Sequence, residues 1–297
     1  MKTDRSHAFH HVDVFTDTSF QGNPLAVFPD GRGIDGTTMQ RIARELNLSE
    51  TTFILPAQNP DHAAKVRIFT PATELQFAGH PTIGTSFVLW STGAVAHARN
   101  EILLEEGIGT VPVRIEPSER FMAWLTTPPI TFGETFAGAP WTAALGLEKD
   151  DLLSGAPVQA VSAGNPFIYV PLRSEEAVDR ATCDMAGFRK AGGAAAASSG
   201  IYFFALRRGG VYSRMFAPEY GIIEDPATGS ATGPLAAYLL EHRLIEERDG
   251  LRLTSEQGTK MGRRSILHIL ISGVGKARRI EVGGNVVPLI QATLTLH

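Results

Sequence analysis

The chain has 297 residues, 43% of them hydrophobic and 20% charged, which is typical of a globular protein with a sizeable core and not of a disordered chain. Its net charge of -4 at pH 7, with 27 basic and 31 acidic residues and no basic block, argues against nucleic acid or another polyanion as partner. The sequence has no run of about 18 apolar residues and no signal-peptide pattern, so we expect no membrane span, no export and a cytoplasmic protein.

Residues with redox or metal chemistry show no recognisable motif. Cys183 is the single cysteine, so it forms neither an intrachain disulfide nor a CxxC pair. The nine histidines form no HExxH motif. We therefore expect no metal site.

The first half of the chain begins with two extended segments around a turn at Gly22-Asn23-Pro24. A helical pattern follows in "GTTMQRIARELNL", with its apolar face at Met39, Ile42, Ala43 and Leu46. The segments "TTFILP" and "KVRIFTP" then have the composition of strands. This half therefore starts as a β-rich unit with one early helix.

The second half repeats these features in the same order. The turn recurs at 164–166, a helix is predicted near residues 180–190, and "GIYFFAL" is a predicted strand. The pattern Arg-x-Phe-x-Pro occurs at 67–71 and again at 214–218, and "AGHPTIGTSFVL" corresponds to "ATGSATGPLAAYL". Three recurrences in one order favour an internal duplication over chance, and two long copies do not fit a solenoid.

Strands dominate both halves and helices are few, which predicts an α+β fold of two similar domains, each a β-rich barrel-like sheet around a central helix. The Pro-, Gly- and Thr-rich segment "TTPPITFGETFAGAP" places the boundary near residue 130. The predicted domains are residues 1–129 and 130–297. We allow the last strand, about 284–297, to pack on the first domain.

The glycine-rich segment "FAGHPTIGTS" is close to a nucleotide-binding P-loop but departs from it. Thr85 stands where the P-loop requires lysine, and Pro81 removes a backbone donor, which argues against a nucleoside triphosphate site. A glycine-rich turn entering a helix still offers N–H groups at the positive end of the helix dipole, which suits a carboxylate. The loops at Gly79 and at Gly229-Ser230 are the two candidates.

Three ionisable residues stand near these loops. His80 follows Gly79, Asp225 precedes Gly229 by four residues, and Glu50 lies between the predicted helix and strand. Each has an ordinary structural interpretation, such as a capping ring, a turn carboxylate or a solvated glutamate. The residues alone leave their roles open.

Motifs along nearly the whole chain resemble one family. The segments "NLSETTF", "RIFTPATELQFAGHPTIGTS", "RMFAPEYGIIEDPATGSATGPLAAYL" and "EQGTKMGRRS" are similar to the phenazine-biosynthesis isomerase (PhzF-like) family, relatives of diaminopimelate epimerase and proline racemase. The resemblance implies two similar domains, an active site in the cleft between them, and a homodimer. One departure is Arg264, where family members commonly have proline.

The resemblance also implies roles. Glu50 corresponds to the general acid/base and His80 and Asp225 to residues that assist it, whereas Gly79, Gly229 and Ser230 correspond to positions that hold a substrate carboxylate. Neither loop has the cysteine of the epimerase relatives, so racemisation by two thiols is excluded. A single carboxylate, with its pKa raised by enclosure, can still move a proton between two carbons on one face.

The resulting prediction is a cofactor-independent isomerase of a small cyclic or amino-acid-like carboxylate, similar to trans-2,3-dihydro-3-hydroxyanthranilate isomerase. One alternative is a non-catalytic protein that binds a small carboxylate on the same fold. The other is a nucleotide-dependent enzyme, which the loop chemistry disfavours.

Overall fold

The fold was obtained as a computed structural model that describes residues 5–97, 99–116 and 120–296. The chain forms two compact units. The first comprises residues 1–125 together with 283–297, and the second comprises residues 126–282. The chain thus leaves the first unit after Leu125 and returns to it at Gly283.

Among the residues that the structure describes, the first unit contains eight strands and two helices before the chain leaves it: β1 Arg5–Val14, β2 Asn23–Phe28, α1 Gly36–Leu46, β3 Glu50–Leu55, β4 Ala64–Phe69, β5 Glu74–Leu75, α2 Gly79–Ser91, β6 Glu101–Glu106, β7 Gly109–Glu116 and β8 Met122–Thr126. The last residue of β8 already belongs to the second unit.

The second unit continues with β9 Thr131–Phe136, α3 Gly138–Ala144, β10 Val158–Ser162, β11 Pro166–Leu172, α4 Glu175–Arg180, α5 Met185–Ala196, β12 Gly200–Arg207, β13 Gly210–Ala217, β14 Ile222–Asp225, α6 Gly229–Glu241, β15 Leu251–Gln257, β16 Ser265–Ser272 and β17 Arg279–Leu296. From Gly283 onward β17 belongs to the first unit, where it pairs antiparallel with β1.

Strand pairing is the same in the two units. In the first, β1–β2, β3–β4 and β6–β7 are antiparallel, whereas β2–β3 and β4–β6 are parallel. In the second, β10–β11, β12–β13 and β15–β16 are antiparallel, whereas β11–β12 and β13–β15 are parallel. The predicted α+β duplication is confirmed by this repeated topology.

A fully enclosed helix occupies the centre of each unit. Every residue of α2 from Gly79 to Leu89 is buried, and α6 is buried along almost its whole length. A helix without a polar face is stable only when it is surrounded by protein. Gly84 fits this packing, because a Cβ there would lie 2.5 Å from Leu25 Cδ2 and 2.9 Å from Val14 Cγ2.

The early helix α1 lies where the sequence predicts it. Asp35 accepts a hydrogen bond from the backbone N–H of Thr38 at 2.9 Å, which caps the first turn. Asn47 ends the helix in the left-handed conformation. Its buried face, Met39, Ile42 and Ala43, packs with a cluster of aromatic side chains: Phe28, Phe53 and Phe69.

The helix predicted near residues 180–190 is present only in part. The structure has α4 ending at Arg180 and α5 beginning at Met185, with a non-helical segment between them. Arg214 stabilises the end of α4, because its guanidinium donates to the carbonyls of Val178 and Ala181, each at 2.9 Å. These contacts satisfy carbonyls that a helix end leaves unpaired.

Within the described ranges, we find no helix that is both long and apolar enough to cross a membrane.

Candidate active site

The first unit brings two of the predicted site residues together. Glu50 opens β3 and His80 is the second residue of α2. Although 30 positions separate them in the chain, His80 Nε2 lies 3.3 Å from Glu50 Oε2. The two residues are only 4% and 8% exposed, so the carboxyl and the imidazole meet away from bulk water.

Asn23 is a site residue that the sequence analysis treated only as part of a turn. Its side-chain Nδ2 lies 3.2 Å from His80 Nδ1, and Asn23 is fully buried. Gly22 has φ +73°, and a Cβ there would come 2.3 Å from the carbonyl oxygen of Val14. The glycine therefore permits the tight turn that brings Asn23 to the imidazole. The recurrence of the Gly-Asn-Pro motif is the signal that could have identified it.

His80 is a neutral imidazole at neutral pH. Desolvation by burial lowers its pKa to about 3, against the smaller opposing effect of a hydrogen bond with the Pro24 backbone. A neutral imidazole has one donor and one acceptor nitrogen. It can therefore hydrogen-bond to a carboxyl group without adding a charge.

The start of α2 has the features of an anion site. The N-cap residue, Ala78, supplies no side-chain acceptor for the first-turn N–H groups. Gly79 and His80 follow directly, and Pro81 has no N–H of its own. Unpaired N–H groups at the positive end of a helix dipole attract a carboxylate.

The second unit places Asp225, Gly229 and Ser230 at the corresponding point. Asp225 ends β14 and Gly229 begins α6. Thr228 at the N-cap donates from Oγ1 to Asp225 Oδ2 at 2.6 Å, so its hydroxyl does not cap the helix. Asp225 and Gly229 are buried, and Ser230 is partly exposed at the first turn. A partly exposed serine hydroxyl next to helix N–H groups can bind a carboxylate oxygen.

Gln257 is a second residue whose part in the site was missed. Its Nε2 donates to the Asp225 carbonyl at 2.8 Å and to Thr228 Oγ1 at 2.9 Å, and its Oε1 accepts from the Thr228 N–H at 3.2 Å. Gln257 is fully buried, so these bonds fix the segment that precedes α6. In the sequence, Gln257 is part of the segment "EQGTKMGR", and nothing in that segment indicates a role for its side chain.

Arg264, the departure from the family pattern, forms an ion pair with the carboxylate of Glu256. Its Nη2 donates to Glu256 Oε2 at 2.9 Å, and Arg207 Nη2 donates to the same oxygen at 2.8 Å. Burial raises the pKa of Glu256, but hydrogen bonds from Arg264, Arg207 and Thr259 outweigh it, and the pKa falls to about 2. The additional cation thus joins an ion-pair network of the second unit.

No group of three or more His, Cys, Asp or Glu side chains in 5–97, 99–116 and 120–296 is arranged to hold a metal ion. Burial and the charge of Asp184 raise the pKa of Cys183, which disfavours its thiolate.

The duplicated fold places the chain in a broad structural class. A hydroxyproline epimerase from Agrobacterium vitis has the same fold, with a TM-score of 0.66 at 14% identity, covering 100% of this chain and 94% of that one. This likeness shows the fold alone.

The family is shown by sequence. The chain belongs to the Phenazine biosynthesis-like protein family, which matches residues 12–292. It is 38% identical to trans-2,3-dihydro-3-hydroxyanthranilate isomerase of Pseudomonas aeruginosa, over 94% of this chain and 96% of that protein. The crystal structure of a PhzF-family phenazine biosynthesis protein from Bacillus anthracis has a TM-score of 0.89 at 25% identity, covering 98% of this chain and 100% of that one.

Proposed function

We propose that this protein is an isomerase that moves a proton on a small cyclic or amino-acid-like carboxylate, with Glu50 as the general acid/base. The observation that carries the proposal is the buried contact of 3.3 Å between Glu50 Oε2 and His80 Nε2. Burial keeps bulk water away from the carboxyl group, so its electrostatic and hydrogen-bonding interactions with a bound substrate are stronger there than in water.

The proposed reaction conserves all atoms and electrons. Glu50 removes a proton from one carbon of the substrate, and the C–H electron pair moves into the adjoining double-bond system. Glu50 then returns a proton to a second carbon on the same face, which shifts the double bond. One carboxyl group suffices for both steps, and the chemistry requires no cofactor.

His80 assists this transfer by its position next to Glu50. With a pKa of about 3, the imidazole stays neutral through the reaction and does not hold Glu50 permanently ionised, as an imidazolium would. Glu50 can therefore alternate between the carboxylate and the carboxylic acid. This alternation is what proton shuttling requires.

Substrate binding is assigned to the two helix starts. The N–H groups after Gly79 and Gly229, together with the Ser230 hydroxyl, suit the negative charge of a carboxylate. Asp225 is proposed to assist binding and proton transfer. The relatives named trans-2,3-dihydro-3-hydroxyanthranilate isomerases, at 36–38% identity, make that compound the first substrate to test. We also propose a homodimer, which sedimentation velocity would test.

The test uses solvent deuterium. The wild type in D₂O, given trans-2,3-dihydro-3-hydroxyanthranilate or a panel of cyclic carboxylates, is expected to give a product with one deuterium on carbon. Glu50→Gln should bind the same compound but lose at least about 100-fold in rate. Glu45→Gln, which changes an exposed glutamate of α1, serves as the matched control.

The outcomes separate the alternatives. Full activity in Glu50→Gln would remove Glu50 from the mechanism. A wild type that binds the carboxylates but neither converts them nor incorporates deuterium would be a binding protein on this fold.

A further inference from the structure

Glu106 is a buried carboxyl group that the proposed reaction does not use. It ends β6 and is 8% exposed. Its Oε1 lies 2.6 Å from Thr82 Oγ1, in the first turn of α2. Its Oε2 is shielded from solvent and has no hydrogen-bond partner among the residues that the structure describes.

The hydroxyl of Thr82 has two short contacts and a single hydrogen. Besides Glu106, it lies 2.7 Å from the carbonyl oxygen of Ala78. A carbonyl can only accept, so the hydroxyl hydrogen that goes to Ala78 cannot also serve Glu106. If Glu106 is a carboxylic acid, its own O–H donates to Thr82 and both contacts become hydrogen bonds.

The second unit has a natural counterpart of this arrangement. Lys65 pairs with Glu105 between β4 and β6, and Tyr212 pairs with Glu256 between β13 and β15. Arg67 and Arg214 of the repeated motif follow Lys65 and Tyr212 at the same spacing. Glu106 therefore corresponds in register to Gln257.

Gln257 donates from its amide to the hydroxyl of Thr228 at 2.9 Å, and that hydroxyl donates onward to Asp225. A donor side chain at the end of the strand thus fixes the segment before α6. A protonated Glu106 has the same donor at the equivalent place, whereas an ionised Glu106 does not.

We propose that Glu106 is a positioning residue that, as a carboxylic acid, donates a hydrogen bond to Thr82 and holds the first turn of α2, the turn that carries Gly79 and His80. Its effect on catalysis rests on the proposed function. Its protonation and its contact with Thr82 do not.

The electrostatic surroundings agree with this assignment. Burial raises the pKa of Glu106 to about 8, and the contact with Thr82 lowers it only in part. The ionisable side chains around the same surface cavity are His62, Lys65, Arg67, Glu74 and Glu105. Glu105 is paired with His62, and Glu74 with Arg67. His80 is the single titratable side chain of α2.

The direct test is infrared spectroscopy of the whole protein as a function of pH. The wild type should have a protonated-carboxyl C=O band at pH 7 that disappears with a midpoint near pH 8, and Glu106→Gln should lack it. Glu105→Gln changes the neighbouring carboxylate on the same strand and should leave the band unchanged. Thr82→Ala should shift its frequency, which assigns the band even if Glu106→Gln folds poorly. A spectrum at pH 7 that is identical in wild type and a folded Glu106→Gln, or a band that Thr82→Ala does not move, overturns the proposal.

Deuterium-exchange activity tests the positioning role. Glu106→Gln keeps the donor and should stay within about threefold of wild type, whereas Glu106→Ala should lose about 10- to 100-fold because the turn that bears His80 is no longer held. Equal losses in both variants would overturn positioning through the donor. The two proposals can fail separately. If neither the wild type nor any variant exchanges deuterium, the proposed function is wrong. The protonation of Glu106 and its hydrogen bond to Thr82 are still supported in that case if the infrared band is assigned to Glu106.

Discussion

Asn23 and His80 are 57 positions apart in the chain, yet the Asn23 side-chain amide lies 3.2 Å from His80 Nδ1 in the interior of the first unit. The other ring nitrogen faces Glu50. The imidazole is thus held from one side while its opposite side meets the carboxyl group. A ring held in this way cannot rotate without losing a buried polar contact.

Asn23→Ala should lower the rate of deuterium exchange about tenfold, because a lost hydrogen bond of about 0.5–1.5 kcal/mol leaves the ring less well oriented. Steady-state kinetics would show the loss mainly in kcat. Asn59→Ala, which removes an exposed amide of the same unit, is the control. An unchanged kcat in Asn23→Ala would show that the ring needs no support from this amide.

Because His80 is buried as a neutral ring, we expect the free energy of unfolding to decrease as the pH falls below about 6.5. The pKa of His80 is about 3 in the folded protein against 6.5 ordinarily, so between these values the unfolded chain binds more protons than the folded one. The contribution of His80 to the free energy of unfolding is therefore present above pH 6.5 and is lost as the pH falls toward 3. Calorimetry from pH 7.5 to 5 should show a smaller decrease in Tm for His80→Gln than for wild type. Parallel Tm curves would contradict the neutral, buried ring.

Gln257→Glu would create in the second unit the carboxyl that the first unit has at Glu106. For Glu106 the pKa is about 8 against 4.5 ordinarily, so its stabilising contribution is complete below pH 4.5 and is lost as the pH rises through 8. The variant should acquire a similar decrease in the free energy of unfolding between about pH 4.5 and 8, on the order of a few kcal/mol. Gln159→Glu, which alters a glutamine of β10, controls for the added charge. A pH-independent difference between Gln257→Glu and wild type would refute the analogy.

Gly84→Ala should destabilise the protein by about 1–3 kcal/mol, although alanine favours helices, because the added methyl group overpacks against Leu25 and Val14. Urea unfolding would measure the change. Ser91→Ala, at an exposed position of the same helix, should stay within about 0.5 kcal/mol of wild type. A Gly84→Ala variant as stable as wild type would mean that β1 and β2 yield to the larger side chain.

Replacement by lysine should lower the free energy of unfolding by different amounts at the two arginines of the repeated motif. Arg67 and Arg214 each bind one glutamate with two nitrogens, Glu74 and Glu224 respectively. Arg214 is buried and also donates to backbone carbonyls, whereas Arg67 is 28% exposed. Arg214→Lys should therefore cost about 2–3 kcal/mol more than Arg67→Lys in urea unfolding, since lysine cannot reproduce the planar donor pattern. Equal costs would contradict a special role for the buried guanidinium.

Features that depend on local pattern and on repetition could be predicted from the sequence. Apolar periodicity and the caps Asp35 and Asn47 define α1 within two residues of its predicted range. The order of repeated motifs predicted the α+β duplication, because each motif marks the same strand or turn in both units. The absence of lysine at Thr85 and of cysteine in both glycine-rich loops limited the chemistry without any coordinates.

The contacts between polar side chains, in contrast, became known only from the folded structure. The sequence placed Asn23 in a turn and gave Glu106 and Gln257 no role, since their partners are distant in the chain and hydrogen bonding between strands and helices has no local signature. The carbonyls at the end of α4 likewise find their partner in Arg214, more than 30 positions after α4 begins. Contact and burial, which set the ionisation of His80 and Glu106, arise when the strands enclose α2, and no single segment carries that information.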